Sequence, residues 1–183
     1  MRFVKLSLIA ATAAFLSIES AAAEPSPAAR CGEVPAPLEV PDGNQLGFAL
    51  EAEGAQVYAC AANGASFGWA FQAPEAKLSE ANGPAAGTHY AGPTWESTDG
   101  SKVVAAKLEA VTPDATSIPW LLLRAASHAG SGRMAEVTFV QRIWTWGGNA
   151  PSHGCDATHA GAIARVPYRA LYCFYRSEAG PSW

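Results

Sequence analysis

Charge is scarce in this sequence, and its scarcity excludes several kinds of partner. Only 15% of the 183 residues are charged, against about 25% in an average globular domain. The basic residues form no cluster and the formal net charge is −4, so we expect neither nucleic acid nor an anionic membrane surface as a partner. After the first 23 residues no apolar run is long enough to span a bilayer, so we expect no integral membrane segment there.

Two catalytic or metal-binding motifs are also missing. The sequence has no Cys-x-x-Cys pair, the usual signature of zinc–thiolate and dithiol redox sites. It has no Gly-x-Ser-x-Gly, the motif that presents a nucleophilic serine in α/β hydrolases. Four cysteines are present, Cys31, Cys60, Cys155 and Cys173. In an oxidising compartment they predict two disulfides, and three pairings remain open.

The first 23 residues have the pattern of a secretory signal peptide. Met1 to Lys5 is basic, Leu6 to Ile18 is apolar, and Ala21 to Ala23 supplies the small residues that a signal peptidase recognises. We therefore expect a mature chain that begins near Glu24 and is secreted, either to the periplasm or to the medium. Both compartments are oxidising, in agreement with paired cysteines.

Prolines set the next segment apart from the rest of the chain. Residues 24–41 contain five prolines, which disfavour helix and central strands and predict an extended N-terminal arm. Residues 42–183 have the length of one domain, and we expect a single β domain.

Alternation of apolar and polar residues dominates this domain. The clearest strand is 162–174, in which every second residue from Ala164 to Phe174 is apolar. Other segments of strand length are 45–50, 55–61, 66–72, 101–110, 118–127 and 134–146. Turn dipeptides punctuate the chain at 42–43, 63–64, 82–83 and 99–100. The pattern predicts an all-β fold, an antiparallel sandwich or barrel with long loops, stapled by disulfides. Only 74–82 favours a helix, of one or two turns.

A glycine-rich stretch, Gly130 to Ala135, matches the Gly-x-Gly-x-x-Ala form of a dinucleotide-binding loop. That function requires a strand before the loop and a helix after it. A strand-like segment follows here instead. We therefore interpret the stretch as the turn of a hairpin between 118–127 and 134–146, and we expect no cofactor.

Several chemically active side chains lie between His89 and Asp99. His89 with Glu96 or Asp99 could transfer protons, and two carboxylates are the minimum for glycoside hydrolysis. The structural alternative, which we favour, places Trp95 in the core, Asp99 in a hairpin turn, and His89 in a hydrogen bond to a neighbouring strand. His89 and Glu96 remain the catalytic candidates.

A second group consists of His153, Asp156 and His159. These side chains could converge on a metal ion if their loop curls. No zinc motif has this spacing. We therefore favour an exposed loop attached through Cys155, and we predict no metal site.

Two tryptophans follow Arg142 at every second position. On a regular strand Arg142, Trp144 and Trp146 share one face. The indoles then form either an aromatic platform for a sugar ring or another apolar ligand, or part of the core, and the sequence leaves both open. With Tyr90 and Trp95, these three residues are the ligand-binding candidates.

Ordered motifs along the chain carry a resemblance to a known family. They include Gly54-Ala-Gln-Val-Tyr-Ala-Cys60, Trp69-Ala-Phe-Gln-Ala-Pro-Glu-Ala-Lys-Leu78, Gly87-Thr-His-Tyr-Ala-Gly-Pro-Thr-Trp95-Glu96, 99–103, 118–123, 141–142, 147–151, Cys155 and 166–168. Over roughly 35–176 the sequence resembles a family of secreted bacterial and fungal proteins catalogued as a domain of unknown function. The family has cysteines that match Cys60 and Cys155, so the resemblance implies that these two pair, which leaves Cys31 for Cys173.

The resemblance implies no established chemistry. Some fungal members carry the name malate dehydrogenase, which the export signal and the missing strand–glycine loop–helix unit oppose. We expect a secreted, non-enzymatic β domain that binds an unknown small molecule, glycan or surface through Trp144 and Trp146. One alternative is a secreted hydrolytic or metal-assisted enzyme that uses His89 and Glu96. The other is a structural protein of the envelope.

Overall fold

Eight strands form a single antiparallel sheet in the computed structural model, which describes residues 26–81 and 83–179. The strands are β1 (Asn44–Asn63), β2 (Ser66–Ser79), β3 (Ala85–Tyr90), β4 (Thr94–Ser97), β5 (Lys102–Val111), β6 (Trp120–Ala129), β7 (Val137–Gly147) and β8 (Ile163–Ser177). Each strand pairs with its neighbours in sequence, and β1 also pairs with β8 to close a barrel. The all-β prediction is confirmed, and of the two expected architectures the chain adopts the barrel.

Strand alternation separates the inside of the barrel from the outside. In β8, Tyr168, Ala170, Tyr172 and Phe174 are buried in the interior core. The intervening residues of this stretch face outwards, where Cys173 belongs to a second apolar cluster under the N-terminal arm. The period-two pattern read from the sequence of β8 therefore corresponds to the two faces of the barrel wall.

The segment 74–82 is not a helix, contrary to the sequence prediction. Its residues to Ser79 belong to β2, which pairs with β1 on one side and with β3 on the other. Ala76 and Leu78 point into the core while Glu75 and Lys77 are exposed. Burial of alternate residues and two ladders of backbone hydrogen bonds override the local preference for a helical start. Asn82 lies outside the described residues.

The N-terminal arm contains two helical turns, although its prolines predict an extended segment. These are α1 (Pro27–Arg30) and a 3₁₀ turn at Ala36–Leu38. Proline is tolerated at the start of a helix because the first N–H groups have no partner within the helix. In α1, the Ser26 hydroxyl also accepts a hydrogen bond from the N–H of Ala29.

Two disulfides attach peripheral segments to the barrel. Cys31 pairs with Cys173 and holds the arm against the outside of β8, and Cys60 pairs with Cys155 and holds the loop between β7 and β8. Both pairings implied by the family resemblance are confirmed. Leu38, at the end of the 3₁₀ turn, is fully buried, and its carbonyl accepts a hydrogen bond from the side-chain amide of Gln141 on β7.

One end of the barrel is closed by the glycine-rich loop between β6 and β7. The Asp99 carboxylate accepts hydrogen bonds from the N–H groups of Ser101 and Arg133. Gly132 approaches this carboxylate so closely that a Cβ would lie 2.5 Å from Oδ2. Met134, which follows, is fully buried. A strand follows the loop, as the hairpin interpretation predicts. Asp99 stabilises the turn between β4 and β5.

The predicted signal peptide lies outside the described residues. Among the residues that the structure describes, no helix is long and apolar enough to cross a membrane.

Candidate functional site

A β-bulge in β7 decides where the two tryptophans point. Ile143 pairs with Leu171, but Trp146 pairs with Arg169, so β7 has one more residue than β8 over this interval. Trp144 lies in the bulge with φ 49°, a left-handed conformation that costs about 1–3 kcal/mol for a non-glycine residue. The exposed fractions of Trp144 and Trp146 are 40% and 63%. Both indoles therefore lie outside the barrel.

Arg142, in contrast, points into the barrel, so the prediction that it shares a face with the tryptophans is wrong. Its guanidinium donates from Nε and NH2 to the carbonyl oxygen of Pro119, at 3.1 Å and 2.8 Å. The same side chain lines an internal cavity with Tyr172. The extra residue of the bulge changes the alternation of β7, so residues on either side of it no longer follow one face.

Trp144 and Trp146 line a groove of about 620 Å³ on the outside of β1, β8 and β7. We call this the outer tryptophan groove and define it by its aromatic and charged residues: Arg30, Glu51, Glu53, Trp144, Trp146 and Arg169. The register places Glu53 opposite Arg169 on one side, and Arg169 opposite Trp146 on the other. The Glu53 carboxylate, the Arg169 guanidinium and the Trp146 indole thus lie in one row across three strands.

The arm completes the groove and holds Trp144 in place. The Arg30 guanidinium carbon lies 5.9 Å from the centre of the Trp144 ring, and the indole N–H donates to the Arg30 carbonyl oxygen at 3.4 Å. On another side the Trp120 ring packs at 5.2 Å between ring centres. Because Cys31 is bonded to Cys173, the disulfide fixes the position of Arg30.

Two ion pairs cross the groove. Arg30 NH2 lies 3.7 Å from Glu51 Oε1, and Arg169 NH2 lies 3.2 Å from Glu53 Oε1. Ion pairs in contact with solvent, as both of these are, contribute little to folding, typically about 0–1 kcal/mol. Their side chains instead present both hydrogen-bond donors and acceptors beside the indole faces.

His89 lies inside the barrel and is only 3% exposed. Its ring stacks on Trp95 of β4, with 4.3 Å between ring centres, and its Nδ1 lies 2.8 Å from the carbonyl oxygen of Thr94. A carbonyl can only accept, so Nδ1 carries the proton and Nε2 does not. Burial lowers the pKa of His89 to about 3. The imidazole is therefore neutral at physiological pH.

Glu96 lies on the opposite face of the sheet from His89. Adjacent residues of β4 alternate, and Glu96 pairs with Thr88 whereas Trp95 pairs with His89. The Glu96 carboxylate accepts from the Tyr90 hydroxyl at 2.8 Å and lies 3.1 Å from Lys102 Nζ. The Tyr90 and Lys102 hydrogen bonds hold its pKa below the usual value. His89 and Glu96 cannot act together on one substrate atom, and Tyr90 points away from Trp95.

The loop of His153, Asp156 and His159 is organised by its own hydrogen bonds. Asp156 Oδ1 accepts from the N–H of Thr158 at 2.8 Å, and His159 Nδ1 lies 2.8 Å from the same oxygen. The Thr158 hydroxyl, followed by His159, holds the pKa of Asp156 down to about 2. His153 is exposed, and its carbonyl accepts from the Trp69 indole at 3.0 Å. Within the described ranges, no three His, Cys, Asp or Glu side chains form a group able to hold a metal ion.

Sequence reasoning missed the charged half of the outer tryptophan groove. Arg169 shares the outward face of β8 with Cys173, so its exposure could be read from the alternation. Arg30 is 114 residues from Trp144, and only the disulfide pairing of the adjacent Cys31 signals its position. Glu51 and Glu53 alternate with apolar residues along β1, but nothing local indicates that they face Arg30 and Arg169.

Comparison with known sequences places this chain in a family without an assigned activity. The sequence profile of the family described as "Protein of unknown function (DUF3455)" matches residues 41–176. The chain therefore belongs to this family, as the resemblance implied. It has no match among curated proteins and none among solved structures.

Proposed function

We propose that this protein binds carbohydrate in the outer tryptophan groove, without catalysing a reaction there. The observation that carries the proposal is Trp144, an exposed indole held in a bulge with left-handed backbone geometry. Strain of this kind clusters at ligand clamps and switch regions, where function retains it against its cost.

Exposure argues for the platform and against the core alternative. A core tryptophan removes nearly all of its surface from water, as Trp95 does at 1% exposure. Trp144 and Trp146 keep 40% and 63% of their surfaces exposed. Their exposed ring surfaces in the groove are available to the C–H faces of a sugar.

The charges of the outer tryptophan groove favour a neutral, hydroxyl-rich ligand. Two arginines and two glutamates line it, so their formal charges cancel. Each sugar hydroxyl can both donate and accept, and therefore can bond to either partner of an Arg–Glu pair. The volume, about 620 Å³, falls within the usual range of about 300–1,000 Å³ for small-ligand sites.

Export supports the same function. The secretory pattern of residues 1–23 and the two disulfides both fit a protein outside the reducing cytosol. Cell-wall and plant polysaccharides are found in that environment. Amino-terminal sequencing of the protein recovered from periplasm and medium tests this part, with a start near Glu24 expected.

The binding experiment uses arrays of cell-wall and plant polysaccharides. We expect the wild type to be retained on at least one polysaccharide and the Trp144→Ala/Trp146→Ala variant to be lost from it. Phe71→Ala is the matched control, because Phe71 is 53% exposed and lies outside the groove. Trp146→Phe, which keeps an aromatic ring, should restore part of the retention. Equal retention of wild type and the double variant contradicts the proposal.

The enzyme alternative receives no support from the geometry. It depends on His89 and Glu96, which lie on opposite faces of the sheet. A glycosidase mechanism also needs two carboxyl groups that flank the bond to be cleaved. The Asp99 carboxylate is held in a turn by hydrogen bonds from the N–H groups of Ser101 and Arg133, so it does not supply the second one.

A further inference from the structure

The barrel wall has a gap beyond the hairpin of β3 and β4, because these two strands are shorter than their neighbours β2 and β5. Strand β2 begins at Ser66 but pairs with β3 only from Ala76 onwards. Strand β5 runs to Val111 but pairs with β4 only as far as Val104. Beyond the turn at 91–93 the two long strands therefore have no strand between them. This notch opens the interior of the barrel to solvent.

A cavity of about 150 Å³ lies behind the notch, and we call it the inner cavity. Its rim includes the exposed side chains of Phe71 and Lys107, and its floor includes His89, Trp95 and Tyr172, all buried. Aliphatic side chains of β6 complete the wall. The inner cavity therefore leads from the surface to the stacked aromatic rings of the core.

The charged groups of the inner cavity are all positive. Arg142 and Lys107 line it, and no carboxylate does. Among the described residues, no acidic side chain forms an ion pair with Arg142. Its hydrogen bonds go to the neutral carbonyl of Pro119. A partly buried cation without a counter-charge is costly, and an anion that entered the cavity would offset this cost.

The titratable groups of the floor are neutral and add no negative charge. Burial holds the pKa of His89 far below neutrality and raises that of Tyr172 above its usual value. The Tyr172 hydroxyl therefore keeps its proton, and the imidazole is uncharged. Arg142 is the fixed charge at the inner side of the cavity, and Lys107 adds a second at the rim.

Size and lining then define the ligand. An apolar cavity of about 150 Å³ holds one benzene ring. We propose that the inner cavity binds a small apolar carboxylate, a single aromatic ring or a short chain, with its carboxylate at Arg142 and its apolar body against His89 and Trp95. This site is separate from the outer tryptophan groove and does not rest on carbohydrate binding.

Calorimetric titration of the disulfide-bonded protein tests the proposal with benzoate, hexanoate and benzamide, which is nearly the same shape as benzoate but uncharged. We expect saturable binding of at least one carboxylate. If benzoate binds, we expect the affinity for benzamide to be at least about tenfold lower, because benzamide cannot form the charge-assisted hydrogen bonds. Arg142→Gln should weaken carboxylate binding by a similar factor. Arg169→Gln, an arginine of the outer groove, should leave it unchanged.

A second variant keeps the test decisive if Arg142→Gln fails to fold. Lys107 is exposed on the rim, so Lys107→Glu should fold and weaken carboxylate binding severalfold through repulsion. Nuclear magnetic resonance should show carboxylate-induced shifts at His89 and Trp95 and none at Trp146. The proposal would be overturned if neither carboxylate bound saturably, if benzoate bound with the same affinity as benzamide, or if the shifts were confined to the outer tryptophan groove. Retention on polysaccharide, measured separately, is independent of all these results.

Discussion

The outer tryptophan groove and the inner cavity lie on the two faces of one wall, and β7 contributes to both. Outside, Trp144 and Trp146 stand beside two Arg–Glu pairs. Inside, Arg142 stands among aromatic rings without a carboxylate. A balanced set of charges suits a neutral polyhydroxyl ligand, and an unbalanced positive set suits an anion. The bulge at Trp144 separates these two chemistries within five residues of one strand.

The two regions also differ in what holds them. Most inner-cavity residues lie on strands of the closed barrel, and Trp95, Leu123 and Tyr172 belong to the interior core. The outer groove depends on an arm that is attached through Cys31–Cys173 and a small apolar cluster. The following predictions test this difference, from the largest expected effect to the smallest.

Removal of the Cys31–Cys173 bond should affect the outer groove and spare the inner cavity. With Cys60–Cys155 intact, the loop that the bond closes spans roughly 50 residues, so Cys31→Ser/Cys173→Ser should lower the unfolding free energy by about 4 kcal/mol through chain entropy. Below the unfolding transition, polysaccharide retention should fall because Arg30 is released, while carboxylate binding persists. Urea unfolding and both binding assays measure this. Parallel loss of both activities in folded protein would contradict the distinction.

Acid should weaken the protein through the inner region. The pKa of His89 is about 3 in the folded state and about 6.5 when unfolded. Between these values only the unfolded state binds the proton, so stability falls as the pH falls. From pH 7.5 to 5 the loss should be about 2 kcal/mol, and His89→Phe should abolish most of it. His153→Gln, at an exposed histidine, is the control and should keep the dependence.

Carboxylates do not account for this window. The pKa values of Asp99 and Asp156 are lowered to about 2 by their hydrogen bonds. These lowered pKa values stabilise the fold at any pH above the pKa that each group has in the unfolded chain. That stabilisation is lost only as the pH falls from there towards 2. If the His89→Phe variant still loses stability steeply between pH 7.5 and 5, the pH dependence does not come from His89.

The strain at Trp144 can be measured by comparing two substitutions. Glycine adopts a left-handed backbone without penalty, whereas alanine does not. Trp144→Gly should therefore be about 1 kcal/mol more stable than Trp144→Ala, although both lose the indole. At Trp146, where the backbone is not left-handed, the order should reverse. Urea unfolding of the four variants decides, and the same order at both positions would count against strain in the bulge.

The smallest change in stability is expected at Arg169. Its pair with Glu53 is exposed, so Arg169→Gln should alter the unfolding free energy by no more than about 0.5 kcal/mol. Polysaccharide retention should nevertheless weaken severalfold, because the groove loses a donor beside Trp146. Calorimetry with a retained oligosaccharide measures the effect. Unchanged affinity would remove Arg169 from the proposed carbohydrate site.

Part of this molecule could be predicted from local patterns. The alternation in 162–174 and the two arms of the 118–146 hairpin appear as β8, β6 and β7. Strands β3 and β4 were not predicted as strands because they have only six and four residues, too few for alternation to be distinctive. The helix predicted at 74–82 is wrong, although the alternation of Ala76 and Leu78 with charged residues, which indicates a strand, is visible in the sequence.

The candidate sites were less predictable than the strands. The sequence indicates Trp144 and Trp146 as ligand-binding candidates, but it does not indicate which face of the sheet they occupy. Left-handed positions in a bulge normally carry glycine or asparagine, so a tryptophan gives no signal that a bulge is present. His89 and Glu96 are close in sequence, yet a strand separates neighbours to opposite faces unless their spacing is even. Their seven-residue separation and the turn between them made the outcome depend on hairpin register.

By itself, the sequence determined the alternating strands, the turns that separate them and the number of cysteines available for crosslinks, because backbone preference and period-two burial act over a few residues. Only the tertiary structure decided that the sheet closes, that an extra residue turns Trp144 outwards while Arg142 stays inside, and that Arg30 reaches Trp144. These features depend on register between strands and on contacts across more than a hundred residues, which no local pattern encodes.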